Sequence, residues 1–141
     1  MRKIAAFCIC CLLLLAAAGC EDTRVYQDGV YNAEFSTFDG EGYKDTLQVT
    51  VENNKITNIL FDAYNEQSEF KSYDDNYRNR MDAKQGTYPA KYSTDLANQL
   101  LDTQDIDKVD AVAGATESSE SFIVLFKALE QNMYRGDTNT I

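Results

Sequence analysis

Apolar and polar residues alternate along residues 29–64, a pattern that predicts strands with one buried face. The alternating apolar residues are Tyr31, Ala33 and Phe35 in a first segment, residues 29–38, and Leu47, Val49 and Val51 in a second. A third apolar segment runs from Lys55 to about Tyr64. We therefore expect three strands before any helix.

A two-residue turn at Asn53 and Asn54 is predicted to join the second and third strands, because asparagine tolerates positive φ. A regular hairpin around this turn would form the pairs Val51–Ile56, Val49–Asn58 and Leu47–Leu60. This register places Ile59 and Phe61 on the opposite face from Ile56. We therefore expect the third strand to be central in the sheet and covered on both sides.

Helical spacing replaces alternation after residue 69. The first predicted helix carries Phe70, Tyr73, Tyr77 and Met81, with Asp74 or Asp75 in its first turn. The second begins at Ser93 and carries Leu96, Leu100 and Leu101. The third runs from about Ser118 to Met133, stops at Gly136, and carries Phe122, Leu125, Phe126, Leu129 and Met133. Three strands followed by about three helices predict an α+β fold, with the helices packed on a small antiparallel sheet.

A Gly-Ala turn and three hydroxyls lie immediately ahead of the third predicted helix. The segment reads Asp110-Ala111-Val112-Ala113-Gly114-Ala115-Thr116, followed by Glu117, Ser118 and Ser119. Free N–H groups and the positive end of the helix dipole favour a phosphate at this place. Serine and threonine are also the ordinary helix-capping residues. Spacing alone therefore leaves open whether Thr116 holds or bonds a phosphate, or whether these hydroxyls cap a helix.

The first twenty residues predict a lipoprotein leader. An apolar run of 15 residues, 4–18, follows a short basic start; it is shorter than the roughly 20 residues that span a membrane and is typical of a signal peptide. The run ends in Ala17-Ala18-Gly19-Cys20, which resembles a bacterial lipobox with Cys20 as the lipidated residue. The alternative is ordinary signal cleavage, which would leave a secreted soluble protein.

These features divide the chain into four parts. Residues 1–19 are predicted to form the signal peptide, and residues 20–28 the lipidated cysteine and a short tether. Residues 29–135 are long enough for one domain with a hydrophobic core. Residues 136–141 form a polar tail.

Composition narrows the chemistry of the mature domain. Three of the four cysteines lie in the leader, Cys20 would carry lipid, and the chain has no histidine. This excludes disulfides, Cys/His zinc sites, thiolate nucleophiles and histidine-dependent triads. The only charged residues of the leader are Arg2 and Lys3, so its removal changes the net charge from −10 to −12. Such an acidic surface repels nucleic acid. We expect no metal site, no catalytic residue and no nucleic-acid partner, and any redox chemistry would need an organic cofactor.

The order of elements and the 110–116 segment resemble the FMN-binding domain family. The likeness covers roughly residues 29–133 and includes residues 42–45, 49–51 and 55–56 of the N-terminal hairpin. The motif of that family is Asp, two variable residues, Ser or Thr, Gly, Ala, and a final Ser or Thr. The motif residues present here are Asp110, Gly114, Ala115 and Thr116, whereas Ala113 stands where the family usually has Ser or Thr.

The resemblance implies that Thr116 carries FMN through a phosphoester, made by a dedicated flavin transferase from FAD with Mg²⁺. The family includes the periplasmic flavin subunits of the sodium-pumping NADH:quinone oxidoreductase and of the Rnf complex, and flavinylated bacterial lipoproteins of extracellular electron transfer. It therefore implies an electron-transfer flavoprotein rather than an enzyme with its own turnover, lipid-anchored on the extracytoplasmic side of the membrane and working with membrane redox proteins. The cofactor-binding residues that we infer are Thr116, Asp110, Gly114, Ala115, Ser118 and Ser119.

Two alternatives stay open. In the first, the domain binds a flavin or another phosphorylated ligand non-covalently. In the second, it is a surface lipoprotein of the same fold that has lost the cofactor, and Ala113 marks that loss. The isoalloxazine would need an aromatic or apolar surface to lie on. The candidates are Tyr43, Tyr77, Met81 and Tyr88, each of which suits a place in the core equally well.

Overall fold

Three antiparallel strands precede three helices in the computed structural model, which describes residues 25–141. The leader and Cys20 therefore lie outside the described residues. The strands are β1 (Gly29–Glu34), β2 (Tyr43–Glu52) and β3 (Lys55–Asn65), and the helices are α1 (Asp75–Gln85), α2 (Pro89–Thr103) and α3 (Thr116–Arg135). Short 3₁₀ turns occupy Lys71–Tyr73 and Ile106–Lys108. The predicted α+β fold, a small antiparallel sheet packed with three helices, is confirmed.

The hairpin between β2 and β3 contains a β-bulge that changes its register. The observed pairs include Val51–Ile56, Thr50–Asn58, Val49–Ile59 and Leu47–Phe61. Only the first agrees with the regular hairpin, and the predicted pairs Val49–Asn58 and Leu47–Leu60 are wrong. Thr57 is the extra residue, and a one-residue slip exchanges the faces of every side chain beyond it.

The prediction that β3 is central and covered on both sides is wrong on both counts. Ile59 and Phe61 are buried on the same face as Ile56, whereas Leu60 is 57% exposed on the other face. The apolar residues of β3 therefore need cover on one side only. The strand order is β1-β2-β3, so β2 is the central strand.

The helices α2 and α3 pack on the buried face of this sheet. The face of α3 that the spacing predicted is fully confirmed, since all five of its apolar residues are buried. Phe122 of α3 meets Phe61 of β3 edge to face, with ring centroids 5.2 Å apart. The helix α2 begins at Pro89 rather than at Ser93, because the fixed φ of proline suits the first helical position. Within residues 25–141, none of the helices has the length and apolar character needed to cross a bilayer.

The helix α1 differs from the other two because none of its residues is buried. It begins after Asp74, whose carboxylate accepts a hydrogen bond from the Tyr77 N–H at 2.9 Å. Phe70 and Tyr73, which the spacing placed in this helix, precede it, and Tyr73 is 82% exposed. The helix therefore contributes little to the core, and it forms one wall of the cleft described below.

The outer edge of β1 is covered by the last residues of the chain. The Ile141 N–H donates to the Asn32 carbonyl at 3.2 Å, and the Glu34 N–H donates to Ile141 O at 2.9 Å. These bonds continue the hydrogen-bonding pattern of the sheet beyond its outer strand, which protects an otherwise open edge. The tail from 136 to 141 is thus attached to the domain.

A cleft at the start of the last helix

The segment from Asp110 to Thr116 forms a loop that leads directly into α3. Thr116 is the first helical residue and is exposed, while Ala115 occupies the N-cap position. The N-cap residue Ala115 has only a methyl side chain and makes no cap hydrogen bond, so within residues 25–141 the structure shows no capping by the hydroxyls of Thr116, Ser118 and Ser119. In an α-helix the first N–H groups have no intrahelical acceptor. The N-terminus of α3 therefore keeps donors and a positive dipole end beside the Thr116 hydroxyl.

Ser119 fastens the loop to the first turn of α3. Its side chain is fully buried, its hydroxyl accepts a hydrogen bond from the Val112 N–H at 3.0 Å, and it donates to the Ala115 carbonyl at 2.7 Å. The Ala115 N–H in turn donates to the Val112 carbonyl at 2.9 Å. Both bonds of this hydroxyl are made to the loop, so the geometry gives Ser119 the role of holding the backbone that precedes Thr116.

Gly114 brings the loop against the end of α1. Its φ is +80°, a left-handed conformation that residues with side chains rarely adopt. A Cβ at this residue would stand 2.6 Å from the carbonyl oxygen of Gln85 and 2.9 Å from its Cβ. Gln85 is the last residue of α1, and Gly86 ends that helix with a φ of 68°. Only glycine therefore permits this approach of loop and helix.

Asp110 lies at the start of the loop, away from the cleft. The side chain of Gln99 on α2 holds its backbone twice, accepting from the Asp110 N–H at 2.8 Å and donating to the Asp110 carbonyl at 3.1 Å. The Asp110 side chain is exposed. The structure thus ties the first motif residue to α2, while Gly114, Ala115, Thr116 and Ser118 line the cleft.

The cleft has a volume of about 680 Å³ and separates α1 from the start of α3. This volume is within the range of small-molecule and cofactor sites. Its α1 wall comprises Tyr77, Arg80, Met81, Lys84 and Gln85. The turn of residues 39–41 also lines the cleft, and Asp45, Lys71, Glu117 and Ser121 complete the lining. Of the four residues considered for an aromatic surface, Tyr77 and Met81 line the cleft, Tyr43 packs edge to face on Tyr77, and Tyr88 instead contacts Arg78.

Lys71 is a buried cation of the cleft that the sequence analysis missed. Its Nζ lies 4.4 Å from the ring centroid of Tyr77 and 4.9 Å from that of Tyr43. Asp39 Oδ2 and Glu41 Oε2 lie 3.7 and 3.9 Å from the same nitrogen. The residue follows Phe70 in the first predicted helix and does not belong to the apolar positions of that helix, so the pattern predicts an exposed lysine. The neighbouring Phe70 and Tyr73 are the only apolar signal beside it in the sequence.

Asp45 is a second ionisable residue of the cleft that the sequence did not single out. Burial raises the pKa of its carboxyl, while the Ser121 hydroxyl and the charge of Lys71 act in the opposite direction. Nearby, burial raises the pKa of the Tyr92 phenol to about 12, opposed by Ser118 and Lys71. Tyr92 is buried beside the Asp45 carboxyl, and charges interact more strongly where burial removes water.

The features of the cleft fit a phosphorylated aromatic ligand. The exposed hydroxyl and helix N-terminus at Thr116 suit a phosphate, and Gly114 lets the loop that carries Thr116 pack against the end of α1. The ring of Tyr77 and the thioether of Met81 offer an apolar wall. Arg80 and Lys84 add positive charge to this wall of the cleft, in a chain whose net charge is −10. FMN combines a phosphate with a flat aromatic ring system, so these residues fit it.

Comparison with known proteins adds independent observations. A profile of the FMN-binding domain matches residues 42–129. The chain is similar to the "15 kDa lipoprotein" of Treponema pallidum, with 37% identity over 141 residues that cover 100% of this chain and 98% of the relative. Its fold is similar to that of a Clostridium perfringens protein solved by crystallography, with a TM-score of 0.78 and 33% identity over 82% of this chain and 94% of that one.

Proposed function

This chain belongs to the FMN-binding domain family, and on that premise we propose that it is a lipid-anchored, extracytoplasmic carrier of FMN that acts in electron transfer. The observation that carries the proposal is the hydroxyl of Thr116, exposed at the uncapped N-terminus of α3 and facing a cleft of about 680 Å³. A flavin transferase would mature the protein, and membrane redox proteins would exchange electrons with it.

The attachment that we propose is a phosphoester at Thr116. Thr116 Oγ1 would bond to the phosphorus of the FMN half of FAD while the phosphoanhydride bond to the AMP half breaks. AMP would leave with the electron pair of that bond, and the hydroxyl proton would be released. The product carries one negative charge beside the positive end of α3, an interaction of about 0.3–1 kcal/mol.

Other residues of the cleft would orient the cofactor. Tyr77 and Met81 would lie against the isoalloxazine, and Gly114 would hold the loop against Gln85 of α1. Ser119 would hold the loop so that Thr116 stays at the mouth of the cleft. FMN would supply the electron-accepting chemistry when bound, and the protein would supply position and electrostatics.

The lipid anchor rests on the N-terminal sequence and on the name of the relative. The lipobox-like ending at Cys20 lies outside the described residues, and the similar Treponema pallidum protein is called a lipoprotein. Cys20→Ser removes the residue that we propose to be lipidated, and it should move the protein from the membrane fraction to the soluble fraction. A variant that still sediments with membranes would contradict the anchor.

Co-production with a flavin transferase tests the proposed cofactor and its linkage together. We expect a yellow protein whose colour stays with the polypeptide after denaturation in urea. A colour that separates from the chain on denaturation would instead support non-covalent binding. A colourless protein would support a member of the family that has lost the cofactor, for which the exposed Ala113 is the sequence argument.

A further inference from the structure

Lys71 lines the cleft opposite the motif, and its burial calls for an explanation. Its side chain is 7% exposed, although it is a lysine in a 3₁₀ turn at the protein surface. Burying a charge costs free energy unless other groups compensate for the lost water. A lysine that stays charged when it is buried therefore needs nearby groups that offset the lost hydration.

The protein compensates this cation only in part. The nearest carboxylate oxygen is 3.7 Å away, which is longer than a hydrogen bond. The side chains of Asp39 and Glu41 are 48% and 61% exposed, so water screens their charges. The rings of Tyr43 and Tyr77 cover other sides of the ammonium. Asp45, which lines the same cleft, also interacts with the charge of Lys71, but burial disfavours its ionised form and raises its pKa. Water screens the buried charge of Lys71 less than it screens the exposed carboxylates of Asp39 and Glu41, so the electric field of Lys71 extends into the cleft.

We propose that Lys71 raises the reduction potential of the flavin, because its buried positive charge lines the cleft that would hold the isoalloxazine. The inference rests on the proposed function. Full reduction takes up two electrons from a donor and, near neutral pH, one proton from water, which leaves one negative charge on the ring system. A nearby cation lowers the free energy of that charged product more than that of the neutral oxidised ring. Lys71 would therefore favour the reduced flavin.

The test compares flavinylated wild type, Lys71→Met and Lys71→Arg by titration with dithionite beside a reference dye. Lys71→Met keeps much of the side-chain volume and removes the charge. We expect the ratio of reduced to oxidised flavin at a fixed potential to fall about tenfold, which is about 30 mV for a two-electron couple. Lys71→Arg should restore most of the ratio. The matched control is Lys91→Met, a half-exposed lysine of α2 outside the cleft, and it should match the wild type.

A second variant tests the electrostatic effect of Lys71 with the opposite sign, at an exposed side chain that also bonds to Tyr77. Glu41→Gln removes an exposed carboxylate that opposes the charge of Lys71, so it should raise the ratio. Wild-type potentials in both Lys71→Met and Glu41→Gln would overturn the inference and leave the flavin carrier standing; a loss of stability alone in Lys71→Met would then mark a structural lysine. A wild-type protein that takes up no flavin would overturn the proposed function, and this inference with it.

Discussion

Gly114 lies so close to Gln85 that a Cβ at residue 114 would stand 2.6 Å from the Gln85 carbonyl oxygen. This contact joins the loop before α3 to the last residue of α1, the two elements that form opposite walls of the cleft. Two structural features therefore require glycine at this motif position: a φ of +80° and the absence of space for a side chain. The width of the cleft depends on this approach.

Gly114→Ala should lower the free energy of unfolding by on the order of 2–4 kcal/mol, because left-handed strain and a backbone clash add. Gly42→Ala is the matched control. Its φ is +83° and no atom lies within 4 Å of the position of its Cβ, so it should bear the strain alone, about 1–2 kcal/mol. Urea unfolding of both variants measures the difference. Equal losses would show that Gln85 gives way and that the contact does not constrain the cleft.

Ser119→Ala should lower the free energy of unfolding by about 1–3 kcal/mol, because it leaves the Val112 N–H without the hydroxyl that accepts its hydrogen bond. It should also lower the flavinylated fraction, since the loop before Thr116 loses its attachment. Thr94→Ala is the control, because the Thr94 hydroxyl is exposed and donates to the Ala90 carbonyl within its own helix. Chemical denaturation and absorbance of the purified proteins give both quantities. Flavin loading equal to that of Thr94→Ala would argue against a role for Ser119 in the site.

Ala113→Ser should raise the flavinylated fraction. The substitution restores the hydroxyl that the family motif usually has next to Gly114, and Ala113 is exposed, so the fold has room for it. We expect the free energy of unfolding to change by no more than about 0.5 kcal/mol. Intact mass spectrometry after limited co-production with a flavin transferase measures the fraction. Loading equal to or below that of the wild type would show that this departure from the motif has no cost.

The fold was predictable to the extent that its signals are local. The periodicity of α3 identified its buried face, from Phe122 to Met133, because contacts along one helix face recur at fixed spacing. The register of the hairpin was not predictable, because Thr57 shifts it through a bulge that the turn sequence does not announce. The bulge turns the apolar residues of β3 to one face, and the position of β3 at an edge of the sheet was missed as well.

The site was predictable on one side only. The motif identified Gly114, Ala115 and Thr116, which line the cleft. Lys71 and Asp45 come from other elements, and their burial depends on tertiary contacts rather than on a pattern in the surrounding sequence. The contact with Gln85 that requires glycine at residue 114 was also not predictable from the sequence, because Gln85 is distant in sequence and adjacent in space.

Asp45→Asn should stabilise the protein at neutral pH, with a gain that shrinks in acid. Burial raises the pKa of Asp45 in the folded state, so the folded protein binds this proton more tightly than the unfolded chain does. The resulting stabilisation is fully present below the unfolded pKa of about 4 and is lost as the pH rises through the folded pKa. Asparagine has no charge to bury, and its advantage is therefore greatest at neutral pH. Melting temperatures of the wild type and of Asp45→Asn, taken from acid to neutral pH, measure this difference in stability.

Asp74→Asn is the control of opposite sign. The Tyr77 N–H and the Tyr43 hydroxyl lower the pKa of Asp74. Its contribution is therefore present above the unfolded pKa and lost as the pH falls through the folded pKa. This variant should be less stable than the wild type at neutral pH, with a difference that also shrinks in acid. The same sign for both variants at neutral pH would contradict the opposite roles of the two carboxyls.

The mass of the peptide that contains Thr116 shows whether FMN is covalently attached to this residue. Wild type, Thr116→Ala and Thr116→Ser are co-produced with a flavin transferase, digested and mapped. We expect one FMN, less one water, on the wild-type peptide, partial modification in Thr116→Ser and none in Thr116→Ala. The melting temperature of Thr116→Ala should equal that of unflavinylated wild type, because no side chain caps α3. An unmodified wild-type peptide, or FMN on another residue, would contradict a phosphoester at Thr116.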